Sequence, residues 1–206
     1  MSGARVLKKR SCVGCEMTNR YPGMRGEWLG FAFRVGRVKK LEDDVIMGAT
    51  FGWWVHCELV LGHGEEGRAY GAYQGVGGFQ RSCHVHEPGE WSVFAMPLKD
   101  PKYCLSHVLY LLTLGLPYNY SDLWQCCVKA ILPFETELDC DKPWEWGHQG
   151  GLFCSQAALL VLRHFIRKGA VEAPAGMGHL VEVTHSRGCS PNTLHGLLAR
   201  FGRPIY

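Results

Sequence analysis

The sequence predicts a single α+β domain, and the order of its patterns along the chain is the main reason. Residues 41–97 are rich in β-branched and aromatic residues interrupted by glycine turns, which is typical of strands. Residues 101–170 instead repeat apolar residues at three- and four-residue spacing, which is typical of helices. Strands followed by helices favour an α+β fold over a doubly wound one, and 206 residues suit one core with appendages.

The first half of the chain contains the predicted strands. One extended stretch falls within residues 1–40, which otherwise form a basic, partly irregular N-terminal extension to a domain spanning residues 41–206. Glycine-rich turns at 62–67 and 75–79 separate the later stretches. The predicted extended stretches are Trp28–Val35, Asp44–Gly48, Trp53–Leu61, Arg68–Gln74 and Trp91–Leu98.

The second half of the chain contains the predicted helices. Gly169 is expected to end the third of them, since glycine tolerates the left-handed conformation after a helix. Ser190 followed by Pro191 predicts an N-cap and a first helical residue for the last one. The predicted helices cover Tyr103–Leu114, Ser121 to about Leu132, Phe153–Lys168 and Pro191 to about Arg200.

Composition and charge narrow the function classes. A formal net charge of +3 gives no indication of a nucleic-acid partner. The longest apolar runs are too short to span a bilayer, so no transmembrane segment is expected. Ten cysteines without a secretory signal at Met1–Arg10 predict reduced thiols in the cytoplasm or another reducing compartment. The oligomeric state is left open.

The stretch Trp54–Leu61 is the first of two that carry chemistry. In a strand, His56 and Glu58 share one face while Val55, Cys57 and Leu59 share the other. A histidine and a carboxylate on an otherwise apolar strand are costly to bury unless they face a cleft or meet polar partners. His56 and Glu58 are therefore candidate catalytic residues.

The second stretch, Gly150–Gln156, places two glycines before a cysteine that begins an apolar helix. At a helix N-terminus the macrodipole and the unpaired N–H groups favour the thiolate form of Cys154. The same N–H groups can stabilise an oxyanion. Nucleophilic cysteine chemistry needs this arrangement together with a histidine within hydrogen-bond reach.

In their order along the chain, these stretches resemble the permuted branch of the NlpC/P60 papain-like superfamily, the YiiX/YaeF-like proteins with poxvirus, phage and large-virus relatives. The resemblance covers about residues 45–200, with Asn119 where aspartate is common and Gln156 where glutamate is common. The matching motifs are His56-Cys57-Glu58-Leu59, Tyr70–Phe79, Trp91–Pro97, Gly115-Leu116-Pro117-Tyr118-Asn119, Phe153-Cys154-Ser155-Gln156 and Ser190-Pro191-Asn192-Thr193-Leu194.

The resemblance implies a circularly permuted papain-like fold, with an antiparallel sheet or small barrel packed against helices. It also implies a cysteine peptidase or amidase in which Cys154 forms a thioester and His56 is the general base. Glu58 is the first candidate to orient His56, with Tyr70 or Gln74 as the alternative.

Four residues are candidates for substrate binding, namely Tyr70, Gln74, Tyr118 and Gln156. The expected substrate is a peptide, an amide or an acyl compound. Two other functions stay open: an acyltransferase or lipid-acyl hydrolase on the same fold, and a non-catalytic binding module.

No cofactor and no metal ion is predicted. Cys12 and Cys15 have the spacing of half a zinc site, but no second close pair follows. The missing ligands would have to come from distant residues such as Cys83, His84 or His86, and the last two are more typical of an exposed loop.

Overall fold

Six antiparallel strands form one curled sheet, a half-barrel that packs against helices. The computed structural model describes residues 17–37, 41–50, 52–73, 78–119, 137–148, 151–202 and 204–206. The strands are β1 (Asn19–Arg20), β2 (Glu27–Val35), β3 (Trp54–His63), β4 (Glu66–Tyr73), β5 (Gly78–Arg81) and β6 (Trp91–Pro97). Their spatial order is β1-β4-β3-β2-β6, and β5 also pairs with β4. The predicted α+β class is confirmed.

The described helices follow the strand region, apart from one early helix. They are α1 (Leu41–Thr50), α2 (Pro101–Thr113), α3 (Pro143–Trp146), α4 (Cys154–Arg167), α5 (Met177–Val183) and α6 (Pro191–Ala199), with a 3₁₀ turn at Ser186–Gly188. None of the helices in the described ranges combines the length and the apolarity that crossing a bilayer requires.

Helix α4 is the centre of the molecule and packs on β3 and β4, while α6 packs on β3. Every side chain of α4 from Cys154 to Phe165 is buried. The main core therefore lies between this helix and the sheet, where it includes Cys57 and Leu59 of β3. A smaller core contains Val60 of the same strand, as the alternation of side chains across a strand requires.

Most predicted elements are present with small shifts at their ends. The helix ends are also as predicted: the Ser190 side chain accepts a hydrogen bond from the Thr193 N–H at 3.1 Å, and Gly169 has a φ of 66°. The predicted helix at 121–132 lies outside the described residues.

The prediction of a strand at Asp44–Gly48 is wrong, because these residues belong to α1. The carboxylate of Asp43 accepts hydrogen bonds from the Arg34 side chain at 3.1 Å and from the Arg37 N–H at 3.0 Å. This buried carboxylate ties the start of the helix to β2, so tertiary contacts outweigh the β-branched residues Val45 and Ile46.

The extended stretch predicted at Trp28–Val35 is present as β2. Strand β2 lies within the predicted extension but pairs with β3 on one side and β6 on the other. The described part of that extension is therefore integral to the sheet.

Candidate active site

Strand β3 carries two polar side chains, His56 and Glu58, in the part of the strand that does not pair with β4. Its ladder with β4 runs from the Leu59–Tyr70 pair to the His63–Glu66 pair. The ladder with β2 continues through His56 and Glu58. The segment of β3 that contains these two residues thus lies beyond its ladder with β4, and helix α4 begins beside it.

Cys154 is the first residue of α4, and the loop at 115–119 fixes the chain that leads to it. The Leu152 N–H donates to the Pro117 carbonyl at 2.9 Å, and the Asn119 N–H donates to the Leu152 carbonyl at 3.0 Å. Gly151 has a φ of 91°, and a Cβ there would lie 2.1 Å from the Pro117 carbonyl oxygen. Only glycine fits this approach.

The surroundings of Cys154 favour its thiolate. Burial alone would raise the pKa of this thiol, but the charge of His56 and a hydrogen bond from its ring lower it. Backbone N–H groups of Cys57 and Ser155 also donate to the sulfur and lower the pKa further. The net result is a Cys154 pKa below the ordinary thiol value.

The pKa of His56 is shifted in the opposite direction, upwards. Burial would lower its pKa, but the charge of Cys154, the hydrogen bond between them and the carboxylate of Glu58 raise it to about 9. A lowered thiol pKa and a raised imidazole pKa favour the same state near neutral pH. That state is a thiolate beside an imidazolium.

Glu58 is fully buried and is the acceptor at the centre of a polar cluster. Its Oε1 accepts from the Tyr73 hydroxyl and from His84 Nδ1, the latter at 2.5 Å. Its Oε2 accepts from His86 Nε2 at 2.8 Å. Burial would raise the pKa of this carboxyl, but contacts with His56, His84 and His86 hold it well below its usual value. These donors offset the cost of several kcal/mol for burying an ionised carboxylate.

The contact between Glu58 and His56 is of a different kind. His56 Nε2 lies 3.3 Å from Glu58 Oε1, yet it has no well-aligned hydrogen-bond partner among the described residues. The two side chains extend from the same strand two residues apart and therefore lie on the same face of it. The contact is electrostatic rather than a good hydrogen bond.

Tyr118 is one of the predicted substrate-binding residues that the structure describes. It is partly buried and packs against Phe153 and Cys154. Gln156 is fully buried, and its Oε1 accepts from the Phe153 N–H at 3.3 Å, so it caps the helix that carries Cys154.

Tyr70 and Gln74 are the alternatives to Glu58 for orienting His56. Tyr70 is buried in the main core opposite Leu59, and burial raises its pKa while the charges of Arg81 and Arg68 lower it. Gln74 lies outside the described residues, as does the Cys12 and Cys15 pair. Glu58 is the candidate that the structure places against His56.

Sequence reasoning missed three residues of this cluster: Tyr73, His84 and His86. The local pattern favours exposed loop histidines at 84 and 86, yet both bond to Glu58, and His86 is 3% exposed. One signal was available. The two histidines stand two residues apart, the spacing of side chains that share one face of an extended segment.

Among the residues that the structure describes, two groups of side chains have the donor atoms and the spacing for a metal ion. His56, Glu58 and His84 form one, and Cys140, Asp141 and His164 form the other, each with ligand atoms within 4.8 Å of one another. In the second group both ring nitrogens of His164 already have partners, Asp141 Oδ1 at 2.8 Å and the Tyr103 hydroxyl at 2.7 Å.

A thiol, an imidazole and the N–H groups of a helix start lie together here, and these are the groups that nucleophilic cysteine chemistry uses. Comparison of the chain with protein-family models, with curated proteins and with solved structures finds no match. The site's own geometry is therefore the basis for assigning it a function.

Proposed function

We propose that the protein is a cysteine hydrolase that cleaves a peptide or amide bond through an acyl-thioester on Cys154. The observation that carries this proposal is the hydrogen bond between the Cys154 sulfur and the His56 ring at the first residue of α4. This contact lowers the pKa of the thiol and raises that of the imidazole. A buried cysteine without such a partner has the opposite shift, as Cys104 does: burial raises its pKa to about 12.

The proposed reaction has two halves. The Cys154 thiolate attacks the substrate carbonyl carbon, and the tetrahedral intermediate expels the amine, which takes its proton from the His56 imidazolium. Neutral His56 then removes a proton from water as the water attacks the thioester. Collapse of the second intermediate releases the carboxylic acid and restores the thiolate and the imidazolium.

Two parts of the structure support roles in stabilising charge. N–H groups at the start of α4 have no partner within the helix and are suited to bind the oxyanion. Glu58 is suited to stabilise the imidazolium before the first half of the reaction and again once His56 has taken a proton from water, because it is buried and negatively charged beside His56. We assign Glu58 this positioning role.

The proposal includes a circularly permuted papain-like fold. What supports it is the chain order, with the histidine strand β3 before the cysteine helix α4, together with the curled antiparallel sheet beneath that helix. Close contact between the backbone at Gly78 and the backbone at Leu116 supports it too. The Phe79 N–H donates to the Leu116 carbonyl at 3.1 Å, and this bond joins two of the motifs that carry the resemblance.

Trapping of the acyl-enzyme tests the proposal. The protein is incubated with an activated aryl ester and with a matching anilide, and the acylated peptide is identified by mass spectrometry. We expect acylation of Cys154, its loss in Cys154→Ser, and at least about a 100-fold slower rate in His56→Ala. Cys83→Ser is the control, because Cys83 is an exposed thiol outside the pair. Acylation confined to Cys83, or unchanged in His56→Ala, would refute the proposal.

A further inference from the structure

The donor atoms of His56, Glu58 and His84 point to a second property of this cluster. We propose that these three side chains bind a divalent transition-metal ion, Zn²⁺ being the best suited, and that the bound ion takes His56 out of proton transfer. The consequence for catalysis rests on the proposed function; the binding of the ion does not. This revises the expectation from the sequence that no metal binds here.

The spacing of the donor atoms suits such an ion. Bonds of about 2.0–2.1 Å in a tetrahedral zinc site place the ligand atoms about 3.3 Å apart. His56 Nε2 and Glu58 Oε1 are 3.3 Å apart. His84 Nδ1 is closer to the carboxylate, at 2.5 Å, so its ring has to move outward by less than an ångström. Imidazole nitrogen and carboxylate oxygen are both ordinary zinc ligands.

His56 supplies Nε2 as a ligand atom, and this nitrogen makes no aligned hydrogen bond in the described part of the chain. It is also buried, and a buried polar atom without such a partner is costly. A metal ion at this position would satisfy that nitrogen and neutralise the carboxylate beside it. The other candidate group, around His164, has both of its ring nitrogens engaged already.

His84 provides a way in from solvent. Its side chain is 41% exposed, whereas Glu58 is fully buried. On the other side, His86 Nε2 holds Glu58 Oε2, and the Tyr21 hydroxyl bonds to His86 Nδ1 at 2.6 Å. This outer support fixes the carboxylate, as the partners of metal ligands do in known sites. The ion could therefore bind with movement of one surface ring.

Binding would take His56 out of proton transfer. A metal-bound imidazole nitrogen carries no proton, so the ion takes the place of the proton on Nε2, which is released to solvent. A ring held in this way no longer alternates between imidazole and imidazolium, so it can neither protonate the leaving amine nor deprotonate water. Zn²⁺ would then act as a reversible inhibitor of the proposed reaction.

A two-part experiment tests this inference on the metal-free protein. Zn²⁺ affinity is first measured by competition with a chromophoric chelator for wild type, His84→Ala and His63→Ala. His63 is the matched control, since it is a 79% exposed histidine that pairs with Glu27. We expect His84→Ala to lose one equivalent of bound Zn²⁺, or to weaken it at least about tenfold, while His63→Ala equals wild type.

The second part measures turnover of the activated aryl ester with and without Zn²⁺. Zn²⁺ should slow turnover in wild type and His63→Ala but not in His84→Ala. Equal Zn²⁺ binding by wild type and His84→Ala would overturn the metal site, and binding without any slowing of turnover would overturn its inhibitory role. Failure of the proposed function is seen separately, as a metal-free wild type that shows no turnover.

Discussion

At the residue scale, the charge on Glu58 sets the character of the site. It is fully buried and accepts hydrogen bonds from three side chains, Tyr73, His84 and His86. Removing one partner of a buried charged network is far more costly than removing an exposed ion pair, because the remaining groups stay buried without partners. Stability and thiol activation should therefore both depend on this one charge.

Glu58→Gln should destabilise the fold by about 3 kcal/mol, measured by urea unfolding at neutral pH. The NH₂ group of the glutamine is a donor, and it would face histidine N–H groups that are donors too and need an acceptor. Because the pKa of Glu58 is lowered in the folded state, the loss should be full above the ordinary glutamate pKa of about 4.5 and should shrink as pH falls through the lowered value.

Glu27→Gln is the control for that comparison. Glu27 also bonds to a histidine, His63 at 2.8 Å, but both side chains are largely exposed. Glu27→Gln should lower the free energy of unfolding by no more than about 0.5 kcal/mol. Equal losses in the two variants would show that burial of the Glu58 network does not matter to stability.

The sequence was informative about individual residues only where local pattern carries meaning. His56 and Glu58 could be identified as polar residues on an apolar strand, and Cys154 by the glycine before its helix. Tyr73 could not, and the spacing of His84 and His86 could not place these histidines at Glu58, because their position depends on the curl of the sheet. Burial of a loop histidine is decided by tertiary structure.

At the element scale, the start of α4 depends on a backbone that only glycine permits. Gly151 combines a positive φ with close contact to Pro117, whereas Gly89 has nearly the same φ, 88°, and a Cβ added there would meet nothing within 4 Å. Comparison of alanine substitutions at the two glycines therefore separates the cost of backbone strain from the cost of steric clash.

Gly151→Ala should cost about 3–5 kcal/mol, since strain and clash add, while Gly89→Ala should cost about 1–2 kcal/mol from strain alone. Urea unfolding of both variants gives the comparison. Displacement of α4 in Gly151→Ala should also slow alkylation of Cys154. A Gly151→Ala variant as stable as Gly89→Ala would mean that the Pro117 contact does not fix the helix start.

Helices α2 and α4 meet through two stacked histidines. The rings of His107 and His164 lie 4.1 Å apart between centroids. Burial, with the charge of His164 as the next cause, lowers the pKa of His107 to about 4. The unfolded chain binds this proton near pH 6.5, so the folded state loses stability as pH falls from about 6.5 to about 4.

His107→Phe keeps the ring and removes the proton site. Between pH 6.5 and 4 the variant should lose about 1–2 kcal/mol less stability than wild type, as measured by urea unfolding across that range. His179→Phe replaces an exposed histidine and should follow wild type. Parallel curves for wild type and His107→Phe would contradict the buried, uncharged state of His107.

Elements were predicted well where periodicity and caps agree, as in α4 and α6, and poorly where a contact decides. Helix α1 is the clear case. Its Val45 and Ile46 favour a strand locally, but the Asp43 carboxylate bonds to Arg34 and to the Arg37 backbone, and this favours a helix that begins beside β2.

At the scale of the whole molecule, the site exists because two distant segments meet. Strand β3 extends past its ladder with β4, and the N-terminus of α4 lies at the segment left free, where the Cys57 N–H reaches the Cys154 sulfur. The α+β class follows from the order of patterns in the sequence. The meeting of β3 with α4 does not, because it depends on the curl of the sheet and on where β4 leaves β3.

The central claim is a thiolate held beside an imidazolium, and alkylation of the folded protein tests it most directly. Limiting iodoacetamide is applied between pH 5.5 and 8.5 to wild type and His56→Ala, and labelled cysteines are identified by peptide mass spectrometry. We predict that Cys154 reacts well below the free-thiol pKa of about 8.5 and loses that reactivity in His56→Ala. A silent Cys154, or one that reacts equally in His56→Ala, would contradict the account.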